Sequence, residues 1–162
     1  HLLSHERTNI ADVNRSKREL ERLKRIAKTE GMWDPTEGGA DAVRFRDQIA
    51  LLEVDIVALE MLVLRVLSAE KSGKNSLDIA GLLKIKGSEI QQRYAELMML
   101  AAGPFAMPFI EEAMEAGWQG NFPGGVTANA PLASTYFNLR KTTIYGGSNE
   151  VQRNIVAQTV LG

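Results

Sequence analysis

The stretch Phe45-Arg46-Asp47-Gln48-Ile49-Ala50-Leu51-Leu52-Glu53-Val54-Asp55-Ile56-Val57-Ala58-Leu59-Glu60-Met61-Leu62-Val63-Leu64-Arg65-Val66 decides the fold of this chain. Phe45, Ile49, Leu52, Ile56, Leu59, Val63 and Val66 recur at alternating steps of four and three, the spacing that lines one face of a helix. A half-buried strand alternates every second residue instead. Leu51, Val54, Val57, Ala58, Met61 and Leu62 add apolar surface around the same helix. A helix apolar on most sides is normally packed between several neighbours. The pattern therefore predicts that this helix is central.

Working outward, Asp34-Pro35-Thr36-Glu37-Gly38-Gly39 reads as a loop, because proline and glycine end helices. Before it, Ile10, Val13, Leu20, Leu23 and Ala27 predict a helix over Arg7 to Thr29. After the central helix, Ser72-Gly73-Lys74-Asn75 makes a turn and Ser76 is suited to cap a third helix. Its predicted inner face is Ile79, Leu82, Leu83, Ile90, Tyr94, Leu97 and Ala101. Long helices joined by short loops imply antiparallel neighbours in a bundle. Gly103 to Pro131 is different, holding four of the five prolines. It predicts a short helix from Phe109 to Ala116 and an irregular excursion through Trp118 and Phe122; loops of that length are uncommon unless they line a site or an interface. Pro131 suits the first turn of a helix reaching about Arg140. A last helix follows Gly146-Gly147-Ser148, with Ser148 as N-cap and Val151, Ile155, Val160 and Leu161 as its apolar positions. No strand and no internal repeat is legible. The class is all-α, an antiparallel helical bundle.

Composition removes several functions. The 162 residues are 44% hydrophobic, enough for one domain with a real core. Nineteen Lys+Arg against twenty Asp+Glu give no coat for nucleic acid or an anionic membrane. The run Arg15, Lys17, Arg18, Arg22, Lys24, Arg25 and Lys28 is interleaved with Glu19 and Glu21, so it reads as a solvated helix face. No cysteine is present, which excludes disulfides and thiolate chemistry and fits a reducing compartment. Two histidines, His1 and His5, make no metal cluster. Apolar runs are broken by charge before they reach bilayer length, and Glu6 and Arg7 interrupt any signal-peptide core.

Thr143-Ile144-Tyr145-Gly146-Gly147-Ser148-Asn149-Glu150-Val151-Gln152-Arg153-Asn154-Ile155 resembles the last helix of acyl-CoA dehydrogenases, which carry a Tyr-(Glu/Gly)-Gly-(Thr/Ser)-x-x-(Ile/Val)-Gln-Arg pattern there. Leu3-Ser4-His5-Glu6-Arg7 resembles the start of the first helix of that family's C-terminal domain. The two signatures stand in the right order and about the right distance apart. The nearest likeness is to diverged actinobacterial-type members that degrade steroid side chains and fatty acyl chains. The resemblance implies a bacterial, cytoplasmic protein of lipid catabolism. It also implies that residues 1–162 are the C-terminal helical domain, without the N-terminal helical and β domains of the family. Such a piece is expected to fold as a bundle but neither to hold FAD tightly nor to turn over substrate.

The implied reaction is α,β-dehydrogenation of an acyl-CoA thioester with FAD as hydride acceptor. Many members place the catalytic carboxylate directly after the motif tyrosine, where this chain has Gly146. A second family pattern places it on the first helix before an arginine, which here makes Glu6 the expected base. Taken alone, Glu6 reads more readily as a first-turn glutamate favoured by the helix dipole, and it is the Gly146 replacement with the family register that makes it the expected base. Gly146 is expected to act through its backbone N–H on the thioester carbonyl. Arg7 and Tyr145 are expected at the substrate, and Gly147, Ser148 and Glu150 at the flavin; no metal is implied. Members complete the flavin site in trans with an Arg-x-x-Phe-Gly-type loop and a Gly-Gly-x-Gly stretch. Met32 to Gly39 and Phe122 to Asn129 carry neither. A homo- or hetero-oligomer is expected, a heterotetramer above all, with electron-transfer flavoprotein as electron acceptor. The alternative is a non-catalytic structural subunit that completes the flavin site of such an assembly. A free-standing helical nucleic-acid binder is a third and weaker reading.

Overall fold

The computed structural model describes residues 11–72, 77–115, 117, 118, 120 and 129–161. Among the described residues five α-helices carry the fold: α1 (Val13–Thr29), α2 (Pro35–Lys71), α3 (Leu77–Ala102), α4 (Leu132–Leu139) and α5 (Asn149–Leu161). Short 3-10 turns cover Gly103–Ala106, Glu111–Met114 and Arg140–Thr143, and no strand occurs among the described residues. The bundle is all-α.

The helix expected over Arg7 to Thr29 is broken at Asp12. Asp12 leaves the helix with φ 26°, and its carboxylate accepts the Arg15 N–H at 3.1 Å. A capping aspartate satisfies a first-turn N–H that otherwise has no partner. Leu20, Leu23, Ile26 and Ala27 then face the core. The second helix starts earlier than the Pro/Gly content of its loop predicts. Asp34 Oδ1 accepts the Thr36 N–H at 2.8 Å and the Thr36 hydroxyl at 2.7 Å, and Pro35 takes the first helical position. Proline fits there because its missing N–H would have had no partner. The helix then kinks at Gly39, where φ is 57° and ψ is −141°.

The α2 seam is buried as its spacing predicts: Phe45, Ile49, Leu52, Ile56, Leu59 and Val66 lie in the core and Val63 is half-buried. Each such side chain contributes roughly 1.5–3 kcal/mol by leaving water. The helix is not central, however. Leu51 is 67% exposed, Val54 65% and Leu64 53%, so one face packs within the chain and the opposite face is bare. The central helix is α3, which packs against α1, α2, α4 and α5. Leu83, Ile90, Tyr94, Leu97 and Ala101 face inward on it, whereas Leu82 turns outward. The turn over residues 73–76, its capping Ser76 and the Ile79 side chain lie outside the described residues.

The helix expected over Phe109 to Ala116 reduces to the single 3-10 turn Glu111–Met114, since Ile110 and Glu115 on either side are extended. Phe122 lies outside the described residues. Helix α4 begins right after Pro131, and α5 right after Ser148. Two of the apolar positions expected on α5 turn outward. Val151 is half exposed and Leu161 is 83% exposed, while Asn149 and Gln152 are buried.

Candidate functional site

The motif residues lie on the turn that delivers the chain into α5. Its near side is pinned by the 3-10 turn Arg140–Thr143 against α3. Gln92 Nε2 donates to the carbonyls of Leu139 and Arg140 at 3.3 and 3.2 Å, and Arg140 donates back to the Gln92 carbonyl at 3.1 Å. The Arg140 guanidinium also lies over the Tyr136 ring, 4.3 Å from its centroid. The Tyr145 N–H then reaches the Lys141 carbonyl at 3.1 Å, and the chain turns through Gly146 at φ 69° and Gly147 at φ 86°.

Only glycine adopts such a pair of left-handed conformations without strain. Gly147 has a second reason. A Cβ there would stand 2.6 Å from Gln152 Nε2, the amide that donates to the Gly146 carbonyl at 3.3 Å. Gln152 thus clamps the turn from inside α5. Ser148 caps the helix as expected: its carbonyl accepts the Gln152 N–H at 2.9 Å and its hydroxyl accepts the Val151 N–H at 3.4 Å.

Tyr145, Gly146, Gly147 and Glu150 are exposed and Ser148 is half-buried, so these five residues are brought together on one accessible surface. The Glu150 carboxyl is held below its usual range, chiefly by its own backbone N–H and then by the Ser148 hydroxyl, with Arg153 and Lys84 adding weaker attraction. Two bare glycine peptides ahead of a thirteen-residue helix make a donor set suited to an electron-rich oxygen, because the first turn of a helix carries partial positive charge. A flavin or a thioester carbonyl fits that donor set. Position 146 offers no side chain that takes a proton. Glu6 and Arg7 lie outside the described residues.

Beneath the turn lies a polar cluster that the sequence pattern does not single out. Lys84 is fully buried, and its ammonium donates to Asn149 Oδ1 at 2.7 Å. Ser88, also fully buried, accepts from Asn149 Nδ2 at 3.0 Å and donates to the Ile85 carbonyl at 2.8 Å. The ammonium fixes which way the Asn149 amide points, since only its oxygen can accept from Lys84. Burial pulls the Lys84 pKa down from its ordinary value, against a smaller opposing pull from Glu150. One signal was available: Gly81, Lys84 and Ser88 repeat at the same three-and-four spacing as Asn149, Gln152 and Val156. The two stripes meet closely, and a Cβ on Gly81 would lie 2.8 Å from the Val156 side chain.

The basic run on α1 is tied into the bundle in part. Lys17 pairs with Glu60 at 2.7 Å, and Lys24 with Glu21 and Glu53 at 3.1 Å each. Lys28 sits over the Trp33 ring, 5.1 Å from its centroid. A cleft of about 360 Å³ between α2 and α3 is lined by paired groups: Arg93 donates to Gln48 and Glu96, and Lys86 faces Asp55 and Glu89. No cluster of metal-ligating side chains occurs among the described residues, and no helix among them is long and apolar enough to cross a membrane.

The family model for the acyl-CoA dehydrogenase C-terminal domain matches residues 1–161. No curated protein matches the chain. Among solved structures, a variant of the Tcur3481-Tcur3483 steroid ACAD is similar at TM-score 0.73 and 23% identity, over 99% of this chain and 38% of that one. A chain from a structure of the electron transferring flavoprotein of Acidaminococcus fermentans is similar at TM-score 0.67 and 17% identity, over 98% of this chain and 37% of that one. The structure of PigA with FAD and proline follows at TM-score 0.57 and 15% identity, over 90% of this chain and 34% of that one. The chain therefore spans less than two fifths of the length of each of these relatives, and at these identities they share its fold.

Proposed function

The chain belongs to the acyl-CoA dehydrogenase family as its C-terminal domain, and from that premise we propose that it forms part of a FAD-dependent enzyme that desaturates an acyl-CoA thioester between its α and β carbons. The single observation that carries this reading is the exposed Tyr145-Gly146-Gly147-Ser148 turn at the head of α5, in a chain matched by the family from end to end. Gly147, Ser148 and Glu150 would hold FAD, which when bound would supply the acceptor for a hydride from the β carbon. The Glu6 carboxylate takes the α proton, in place of the side chain that Gly146 does not have. Burial beside an apolar acyl chain raises the pKa of such a carboxylate and makes it a stronger base. The Gly146 N–H holds the thioester oxygen, where negative charge accumulates as the proton leaves. Tyr145 and Arg7 contact the acyl-CoA.

The assembly in this reading is heteromeric, with a partner subunit supplying the flavin contacts that Met32 to Gly39 and Phe122 to Asn129 do not carry. The bare apolar face of α2 supports a partner, since a contiguous exposed apolar surface marks an interaction site. A heterotetramer acting on fatty acyl or steroid side-chain thioesters, and passing electrons to an electron-transfer flavoprotein, is the complete form of the proposal.

The absence of a carboxylate at position 146 also favours a second reading, a structural subunit that completes the partner's flavin site without a base of its own. Glu6→Gln in the full-length assembly separates the two. The catalytic reading expects flavin bleaching by acyl-CoA to slow by about 10²–10⁴-fold with FAD content unchanged, the usual scale for a lost general base. Bleaching at the parent rate leaves only the structural reading.

A further inference from the structure

A lysine with no exposed surface is rare, because its charge gives up hydration that a protein interior replaces only in part. Lys84 has that burial, and among the described residues the one carboxylate whose field reaches it is the exposed Glu150. Nothing in core packing calls for a cation at this point. What the ammonium does instead is directional. It donates at 2.7 Å to Asn149 Oδ1, and Asn149 is the first residue of α5, one position after the Gly146-Gly147-Ser148 turn. Ser88, one helical turn along α3, takes the other end of the same amide at 3.0 Å. Gln152, one turn along α5, reaches back to the Gly146 carbonyl at 3.3 Å. The turn is therefore held from α3 through Asn149 and from α5 through Gln152.

We infer that Lys84 is a positioning residue: with Ser88 it locks Asn149 and so sets the direction of the Gly146 N–H and the head of α5. This rests on the reading of that turn as the thioester and flavin contact. A second consequence follows from charge. A buried cation behind a helix N-terminus adds to the positive potential of the helix end, which favours the electron-rich atoms that the turn faces in that reading.

The test uses the full-length protein in its assembly, with hexanoyl-CoA as the reducing probe. Lys84→Met keeps the length of the side chain and removes the charge. The expected result is faster amide exchange over residues 145–152, and flavin bleaching slowed by about tenfold to a hundredfold with KM changed little, since misplacement of a reacting group acts on rate. The double variant Lys84→Met/Asn149→Leu replaces both partners by apolar groups, a change that is often close to neutral for stability. It is expected to regain the parent melting temperature while bleaching stays slow. Recovery of bleaching together with melting temperature reduces Lys84 to a packing role and overturns the inference. If Lys84→Met does not fold, Ser88→Ala loosens the same amide, and parental exchange over 145–152 in that variant overturns it as well. Should the parent assembly not be bleached by hexanoyl-CoA, the exchange measurement still decides the positioning role, and the failure bears on the choice of acyl group alone.

Discussion

Helices α2 and α3 are the two longest in the molecule and carry similar apolar stripes, yet they end in opposite environments. On α2 the seam from Phe45 to Val66 is buried and the opposite face, through Leu51, Val54, Val57, Met61 and Leu64, is bare. On α3 burial extends nearly all round, and it takes in Lys84, Ser88 and Gln91. The difference shows what helical period reports. It marks a face that something covers, but not whether the cover comes from the same chain, and it passes over polar groups that are buried because they are bonded.

The sharpest way to break the comparison is to cut each face of α2. Leu52→Ala on the seam is expected to cost about 2–5 kcal/mol, because Leu52 is fully enclosed and its neighbours collapse only in part. Leu51→Ala, one residue along and 67% exposed, is expected to stay within about 0.5 kcal/mol of the parent fold. Chemical denaturation of both variants measures the gap. Equal losses would mean that the bare face is packed as tightly as the seam.

Gly147→Ala comes next in size. It forces a side chain to φ 86° and sets a Cβ 2.6 Å from the Gln152 amide. Left-handed strain alone is about 1–2 kcal/mol for an L residue, and loss of the Gln152 bond to Gly146 adds to it. Melting temperature and FAD retention are both expected to fall. An unchanged melting temperature would show that the turn relaxes freely and that Gln152 does not clamp it.

Much of this was legible beforehand. The α2 seam, the all-α class, the Pro131 start of α4 and the Ser148 cap of α5 all follow from spacing and from residues with one strong local preference. What was not legible has physical causes. Asp34-Pro35 reads as a loop because the glycines behind it mask a helix start, and the chain reconciles the two with a kink at Gly39. Asp12 breaks a helix whose apolar spacing runs straight through it. Leu82, expected on the inner face of α3, turns outward, while Lys84, which the apolar spacing does not place, is buried against Asn149. The fully buried positions described on α5 are Asn149 and Gln152, which no hydropathy pattern selects.

A smaller effect on the fold comes from charging the bare face. Val54→Lys, at a position 65% exposed, is expected to leave folding within about 0.5 kcal/mol. If a partner subunit covers that face, the same substitution buries an unpaired charge and the assembly dissociates. Light scattering of the full-length assembly reads the outcome directly, and an intact oligomer would place the partner elsewhere on the domain.

The smallest effect tests the head of α5 against the buried α3 cluster beneath it. Glu150 is exposed, and its carboxyl is held below its ordinary value of 4.5 by its own N–H and by Ser148. A carboxyl that is more acidic folded than unfolded keeps the unfolded state richer in protons as pH falls. Its stabilising contribution is therefore complete above about pH 4.5 and is lost as pH drops through the folded value. Glu150→Gln is expected to remove its share of that acid limb, with Asp34, whose carboxyl is also held low, supplying the rest, and to leave untouched the alkaline contribution of Lys84, whose folded pKa lies below 10.5. On that side the unfolded state again holds more protons, now on the lysine, so the Lys84 contribution rises as pH climbs from its folded value toward 10.5, while Tyr94, which burial pushes up to about 12, contributes with the opposite sign above about pH 10. Lys84→Met removes that rise and leaves the acid limb in place. Melting curves of the two variants across pH would thus separate an exposed carboxyl that tunes the helix end from a buried ammonium that holds it, and a single variant that erased both limbs would show the two groups to be one coupled unit.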